Sequence, residues 1–262
     1  MNDEQIKRYA RQIIMPEIGV SGQRKLLDSK VLVVGAGGLG SPAIQYLAGA
    51  GVGKLGIADG DVVDISNLQR QTIHAGNLGK NKAESAREFV EKLNPDVEVE
   101  VYPFHISPEN ARKIVRNYDV VLDCTDNFTA RFLLNDACVI EGVPLVHAAV
   151  LRFEGEIMTI VPGESACYRC VFSHAPPPGS VPTCQEAGVV GATVGVLGTL
   201  QAIEAIKLIV GIGETLTNRM LHVDLLTMDF TELKLRKNPE CPVCSGKVSD
   251  IIPEKYVESC RL

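Results

Sequence analysis

The chain has 262 residues, 45% of them hydrophobic and 22% charged, with a net charge of −6 and no basic run. That length holds one large domain or two small ones around a sizeable core, in the composition of an ordinary soluble globular protein. The acidic balance argues against nucleic acid or an anionic membrane surface as a partner.

The chain opens polar, Met1-Asn2-Asp3-Glu4-Gln5, with no apolar signal core, so a cytoplasmic protein is expected. Asp3 to Met15 reads as one amphipathic helix, with Ile6, Tyr9, Ala10, Ile13 and Ile14 on one face and Lys7, Arg8 and Arg11 off it. Val31–Val34 follows as a buried strand, Leu39–Ala50 as a helix and Leu55–Ala58 as a strand. Lys82–Leu93 is a helix with charges on its outer face. Val97–Tyr102 alternates as a strand, Pro108–Arg116 is a short helix, Val120–Asp123 a strand, Thr129–Ile140 a helix and Leu145–Ala148 a strand. Such alternation, with unbroken apolar strands, predicts a parallel sheet covered on both faces. After residue 150 the rhythm changes. Glu156–Val161, Met220–Leu226 and Phe230–Leu235 read as antiparallel strands, and the one long helix between them is Gly191–Val210. The longest apolar run, Ala187 to Ile212, is interrupted by Gln201, Glu204 and Lys207 at helical spacing, which predicts a buried or subunit-facing helix rather than a membrane span. Ala175–Pro182, rich in Pro and Gly, is a loop. The expected class is α/β: a Rossmann-like, mostly parallel sheet with helices on both faces, continued by antiparallel strands.

Gly35-x-Gly37-x-x-Gly40, with a further glycine at Gly38, follows a strand and opens a helix. In that context the glycines allow a tight turn and let phosphate oxygens approach the backbone N–H groups at the helix N-terminus. Nineteen residues past Gly40, at the end of the second strand, Asp59 can accept both hydroxyls of a ribose. These features predict a nucleotide and leave NAD and ATP both open. The long polar segment from Asp61 to Gln71 discriminates, because it stands where a dehydrogenase has a short turn. Arg70, and Lys82 at the start of the next helix, can both point at the nucleotide. A triphosphate brings about four negative charges, which Arg, Lys and a metal ion neutralise. Asp123-Cys124-Thr125-Asp126-Asn127 ends another parallel strand, so Asp126 faces the same crevice. A carboxylate there requires a divalent cation between itself and the phosphates, which makes Asp126 the expected Mg²⁺ ligand. Its alternative reading is a cap for the helix at Thr129.

Eight cysteines in a cytoplasmic chain are expected to be thiols. Two Cys-x-x-Cys pairs stand among them, Cys167/Cys170 and Cys241/Cys244, where chance provides about 0.24 of a pair. They predict one four-thiolate zinc knot, closed and structural, tying the C-terminal end to the middle of the chain. Cys124, Cys138 and Cys260 read as core or tail thiols without a role. His74, His105, His147, His174 and His222 are scattered and none is assigned to the site.

Taken together, Arg8-Tyr9-Ala10-Arg11-Gln12-Ile13, the glycine turn, Ser66-Asn67-Leu68-Gln69-Arg70-Gln71, Asp123-Cys124-Thr125-Asp126-Asn127 and the two cysteine pairs resemble the MoeB/ThiF/HesA family, bacterial relatives of ubiquitin-activating enzymes. The resemblance runs from residue 3 to 246 in matching order and spacing. It implies a homodimer that binds MgATP and adenylates the C-terminal Gly-Gly carboxylate of a small ubiquitin-fold sulfur carrier, releasing pyrophosphate ahead of thiocarboxylate formation. Molybdopterin, thiamine and cysteine routes all fit. Position by position, it implies that Asp59 binds the ribose, that Asn67, Arg70 and Lys82 bind the phosphates, and that Asp126 is the metal-site aspartate. Arg11 matches the arginine lent across the dimer to the partner's ATP. Cys184 matches a cysteine that joins the carrier in ThiF-like relatives and is dispensable for adenylation in MoeB-like ones. The implied organisation is one adenylation domain, with a nucleotide-binding half to about residue 150, a carrier-binding and zinc half over 151–246 and a tail over 247–262. Only sixteen residues follow Gly246, so a separate sulfur donor is expected. An NAD-dependent oxidoreductase is the rival from another enzyme class, but it leaves Arg70, Lys82, Asp126 and the zinc knot idle. A zinc-stabilised module that binds a carrier without activating it is the non-enzyme rival.

Overall fold

The computed structural model describes residues 1–177 and 187–256. Five parallel strands come first: β1 (Lys30–Val34), β2 (Lys54–Ala58), β3 (Glu98–Tyr102), β4 (Val120–Asp123) and β5 (Leu145–Leu151). β6 (Glu154–Ile160), β7 (Arg219–Asp224) and β8 (Asp229–Lys234) continue the sheet antiparallel, in the order β3-β2-β1-β4-β5-β6-β7-β8. Register places Val31 against both Leu55 and Val120. The chain therefore leaves β1 toward β2 on one side and returns through β4 on the other. A crevice opens between the carboxyl ends of β1 and β4, the place where such sheets bind ligands.

Alternation along the strands divides the core. Val31, Val33, Leu55 and Ile57 point to the face covered by α4 (Gly40–Ala50), α5 (Lys82–Leu93) and α9 (Gly191–Val210). Leu32, Val34, Val121 and Leu145 point to the opposite face, under α6 (Ala111–Val115), α7 (Phe128–Glu141) and the cysteine cluster. Helix α9 is long and apolar enough to cross a membrane, yet half of it is buried in the protein. Its polar residues face inward: Gln201 donates to the carbonyls of Asp123 (2.8 Å) and Val146 (3.1 Å). Glu204 accepts from Thr159 Oγ1 (2.5 Å) and from Leu216 N (2.7 Å). The interruptions in the apolar run thus pin a core helix to the sheet.

The N-terminal segment departs from the single helix expected over Asp3–Met15. It forms α1 (Asp3–Arg8) and α2 (Ala10–Ile13), broken at Tyr9. Tyr9 is fully buried and its hydroxyl accepts from Asn94, so the chain bends to seat that side chain. Of the expected apolar face, Ile6 and Ile14 are exposed. Helix α3 (Gly19–Asp28) was not expected, because Gly19 and Gly22 lower the local helical preference. It is held from outside, by Gln23 to Ala50 O (2.9 Å) and Lys25 to Val210 O (2.6 Å). A short α8 (Tyr168–Val171) is preceded by Cys167 as its N-cap and carries Cys170. Of the loop expected over Ala175–Pro182, residues 175–177 form no regular element and the remainder lies outside the described residues, as do Cys184 and Cys260.

Candidate active site

A cavity of about 600 Å³ opens at the crevice. Gly35, Gly37 and Gly38 line it, with Asp59, Asp61, Arg70, Lys82 and Asp126. The chain from Gly35 turns away from β1 with φ +95° at that residue, and a Cβ there would lie 2.6 Å from Cys124 O. Gly40 has a different task. It is absent from the lining, and its Cβ would fall 2.0 Å from Gly35 O, so it lets the turn close on itself. No side chain caps α4, which leaves the positive helix end to the cavity.

Asp59 is buried and holds the glycine turn in shape. Its Oδ2 accepts from Ala36 N (2.8 Å) and its Oδ1 from Asp61 N (2.9 Å). Burial raises its pKa above the usual carboxylate value, against the pull of those N–H groups and of Lys82. Behind the turn, His74 donates from Nε2 to Ala36 O (2.7 Å), and its Nδ1 lies 2.9 Å from Ser85 Oγ. Burial lowers the pKa of this imidazole and keeps it neutral. Lys82 opens α5, is itself buried, and reaches Asp61 Oδ2 at 2.9 Å. Asn81 caps that helix and so fixes where Lys82 projects. Arg70 is half-buried and donates to Ser66 O (3.1 Å).

Asp126 stands exposed at the mouth of the cavity, with no hydrogen bond or ion pair to another described residue. The cap of α7 is Asn127, whose Oδ1 accepts from Ala130 N at 2.8 Å, so the capping alternative for Asp126 is replaced by its neighbour. The turn that presents Asp126 is fixed from beneath. Asp123 is fully buried, accepts from Thr125 N (3.0 Å) and Oγ1 (2.7 Å), and pairs with His147 Nδ1 at 2.8 Å. Burial alone would discharge both partners. Their mutual attraction wins, lowering Asp123 and raising His147.

Besides Gly40, two more of the expected nucleotide-site residues lie apart from this cavity. Asn67 is absent from the lining and caps a single 3₁₀ turn, Ile65–Asn67, reciprocally with Asp64. Arg11 is exposed on α2 and does not line the cavity of its own chain. Other lining residues were not singled out from the sequence. Arg131 and Gln71 are buried there with Nε and Oε1, respectively, lacking a partner. His105, assigned to no site above, lines the cavity and sits 3.4 Å from Asp61. Tyr256, from what read as a tail, also lines it and bonds to Asp136 at 2.5 Å.

The four expected cysteines converge. Their sulfurs all lie within 4.8 Å of one another, with Cys167–Cys241 at 3.6 Å, Cys170–Cys244 at 3.7 Å and Cys167–Cys170 at 3.8 Å. Sulfurs on a tetrahedral zinc at about 2.3 Å stand about 3.8 Å apart, so the donor set fits that ion. None of the four lines the cavity. Cys124 and Cys138 are buried thiols whose pKa values burial pushes well up.

The ThiF family profile matches residues 9–243. The SAMP-activating enzyme E1 of Haloferax volcanii is 52% identical over 98% of this chain and 96% of its own length. The sulfur carrier protein adenylyltransferase of Thermus thermophilus is 47% identical over 99% and 98%. The adenylyltransferase and sulfurtransferase MOCS3 of Drosophila sechellia is 47% identical over 94% of this chain, which spans 55% of that protein. Among solved structures, E. coli MccB with MccA-N7isoASN matches with a TM-score of 0.82 at 24% identity, over 93% of this chain and 75% of that one. That last likeness speaks for the fold alone.

Proposed function

The chain belongs to the ThiF family, and on that premise we propose that it is an ATP-dependent adenylyltransferase for a small ubiquitin-like sulfur carrier ending in Gly-Gly. The observation that carries this reading is the convergence of Arg70, Lys82 and Asp126 on the cavity that the glycine turn lines. A dinucleotide needs no such set of charges, whereas a triphosphate does. The carrier's terminal carboxylate attacks the α-phosphorus of ATP, and pyrophosphate leaves. No general base is required, because the nucleophile is already ionised, so catalysis rests on positioning and on charge neutralisation. Asp59 takes the ribose, Arg70 and Lys82 take phosphate oxygens, and Asn67 supports the loop that carries Arg70. Asp126 would hold Mg²⁺, which supplies further neutralisation of the phosphates. Cys167, Cys170, Cys241 and Cys244 would hold one Zn²⁺ in a closed, structural set.

The activity is cytoplasmic, with the nucleotide half before about residue 150 and the carrier half over 151–246. Sulfur comes from a separate donor. In support, Cys124 lines the cavity but is kept neutral by burial, so it offers no nucleophile. ATP is expected to raise the melting temperature and NAD to leave it unchanged, since a ligand stabilises the fold that binds it. Stabilisation by NAD alone would return the reading to an oxidoreductase.

The enzyme works as a homodimer in which Arg11 serves the partner's ATP. Supporting this, Arg11 lies outside its own cavity, on a segment whose Ile6, Ile14 and Met15 are exposed apolar side chains. Mixing Arg11→Ala with Asp126→Ala protein is therefore expected to restore part of the pyrophosphate exchange that each lacks, because the mixed dimer holds one intact site. A mixture as inactive as either parent, with subunit exchange demonstrated, would contradict the crossed arrangement.

A further inference from the structure

Arg131 is the cation that the proposed reaction has not used. It sits in the first turns of α7, 8% exposed, and lines the cavity. No carboxylate of the described residues forms an ion pair with it, and its Nε has no hydrogen-bond partner. The surroundings hold the group still. Its guanidinium stacks over the Phe128 ring at 5.0 Å, and its charge acts on the neighbouring Tyr168. Its charge also acts on the buried Asp123 and the half-buried Glu156, but those carboxylates bracket His147, at 2.8 and 3.8 Å. The positive charge is thus partly offset by its neighbours, while its side chain lines the cavity and its buried Nε makes no hydrogen bond. A buried guanidinium in that state is built to receive an anion, because an unmatched donor away from water is costly.

Which anion follows from where Arg131 stands on the sheet. Arg70, Lys82 and Asp59 lie after β2, on the side of the crevice where the nucleotide enters; Arg131 follows β4, across the switch point. Val150, Val189 and Val194 also line the cavity and provide an apolar path with no charge of their own. The reaction must bring a carboxylate against a phosphate. Two anions approach only if each meets a cation, and the nucleotide's side already has two.

We propose that Arg131 binds the terminal carboxylate of the carrier tail and aims it at the α-phosphorus. This rests on the adenylyltransferase reading and names the group that recognises its second substrate. A planar guanidinium matches a planar carboxylate through paired N–H donors, which a lysine cannot reproduce. In the step itself one carboxylate oxygen forms a bond to the α-phosphorus. The bond from that phosphorus to the bridging oxygen breaks, and its electron pair leaves with pyrophosphate. Arg131 stays protonated throughout and transfers nothing.

The test uses the full chain with two probes: a recombinant ubiquitin-fold carrier ending in Gly-Gly, and the same carrier with its terminus converted to the amide. Binding is titrated in the presence of a non-hydrolysable ATP analogue, and exchange is measured with ATP. The wild type is expected to bind the carboxylate form at least about tenfold more tightly than the amide. Arg131→Gln is expected to abolish that preference and to raise the KM for the carrier about tenfold or more, with the KM for ATP within about threefold of wild type. Arg131→Lys, which keeps the charge, is expected to fall between them and serves if the glutamine variant does not fold. If wild type distinguishes carboxylate from amide through Arg131 yet catalyses no exchange, the adenylation reading fails and the binding role of Arg131 stands. If wild type makes no such distinction, or if the Arg131 variants lose ATP affinity and keep the carrier KM, the assignment of Arg131 is overturned.

Discussion

Replacing Arg70 or Lys82 with alanine is expected to lower carrier-dependent pyrophosphate exchange by about 10²–10³, the loss that follows removal of one preorganised charge-stabilising donor from a transition state. The two positions reach this by different routes. Lys82 is buried at the start of α5 and aimed by the Asn81 cap, so the loss of its charge is not made good by water. Arg70 is half-buried and tethered by one bond to Ser66 O, so its variant is expected to show part of the defect as weaker ATP binding. Cys184→Ala provides the control. Adenylation needs no thiol, because the carboxylate itself attacks, so that variant is expected to keep exchange within a few-fold of wild type and to matter only in later sulfur transfer. Exchange lost in Cys184→Ala, or retained in Lys82→Ala, would break this division of labour.

The second large effect concerns stability. Cys241→Ser is expected to lose the one zinc per chain and to lower the melting temperature by roughly 10 °C, from a stability loss of about 4 kcal/mol or more. The size follows from what the cluster joins. Cys167 and Cys241 are both buried within the core layer that α7 covers, and they link segments 74 residues apart. Burial, with three neighbouring sulfurs, pushes the Cys167 thiol up, so ionising that buried sulfur as a ligand calls for a compensating cation. Tyr256 and Ile251 follow the second pair into the same core, and Tyr256 reaches the cavity wall. A modest secondary fall in nucleotide affinity therefore accompanies the stability loss. Purified protein without zinc, or a Cys241→Ser variant as stable as wild type, would show that the four sulfurs pack for another reason.

What was legible in the sequence was what short-range chemistry dictates. The glycine turn, Asp59 and Asp126 each follow a strand end, Lys82 opens the helix that follows β2, and parallel strands carry their ends to one side of the sheet. Placing the strands therefore placed the cavity. The cysteine pairs were legible because two pairs at that spacing are rare by chance and match a metal-ligand pattern. What stayed hidden depends on contacts between distant segments. The break at Tyr9 exists because Asn94, 85 residues away, holds its hydroxyl. Helix α3 is stabilised through Gln23 and Lys25 by carbonyls of other helices, against two glycines that weaken its local signal. Arg131 reads on α7 as an ordinary helical arginine. Only its burial between Phe128, Tyr168 and the cavity makes it a candidate for binding. His74 and His147 carry no motif, and their work is to fix two turns from behind.

The most direct test of the central claim is exchange of labelled pyrophosphate into ATP by the purified full chain, with a ubiquitin-fold carrier ending in Gly-Gly, compared with the carrier lacking its final glycine. Exchange that requires both ATP and the intact terminus is the predicted result. Binding of the intact carrier without any exchange would contradict it and leave a zinc-stabilised carrier-binding module in its place.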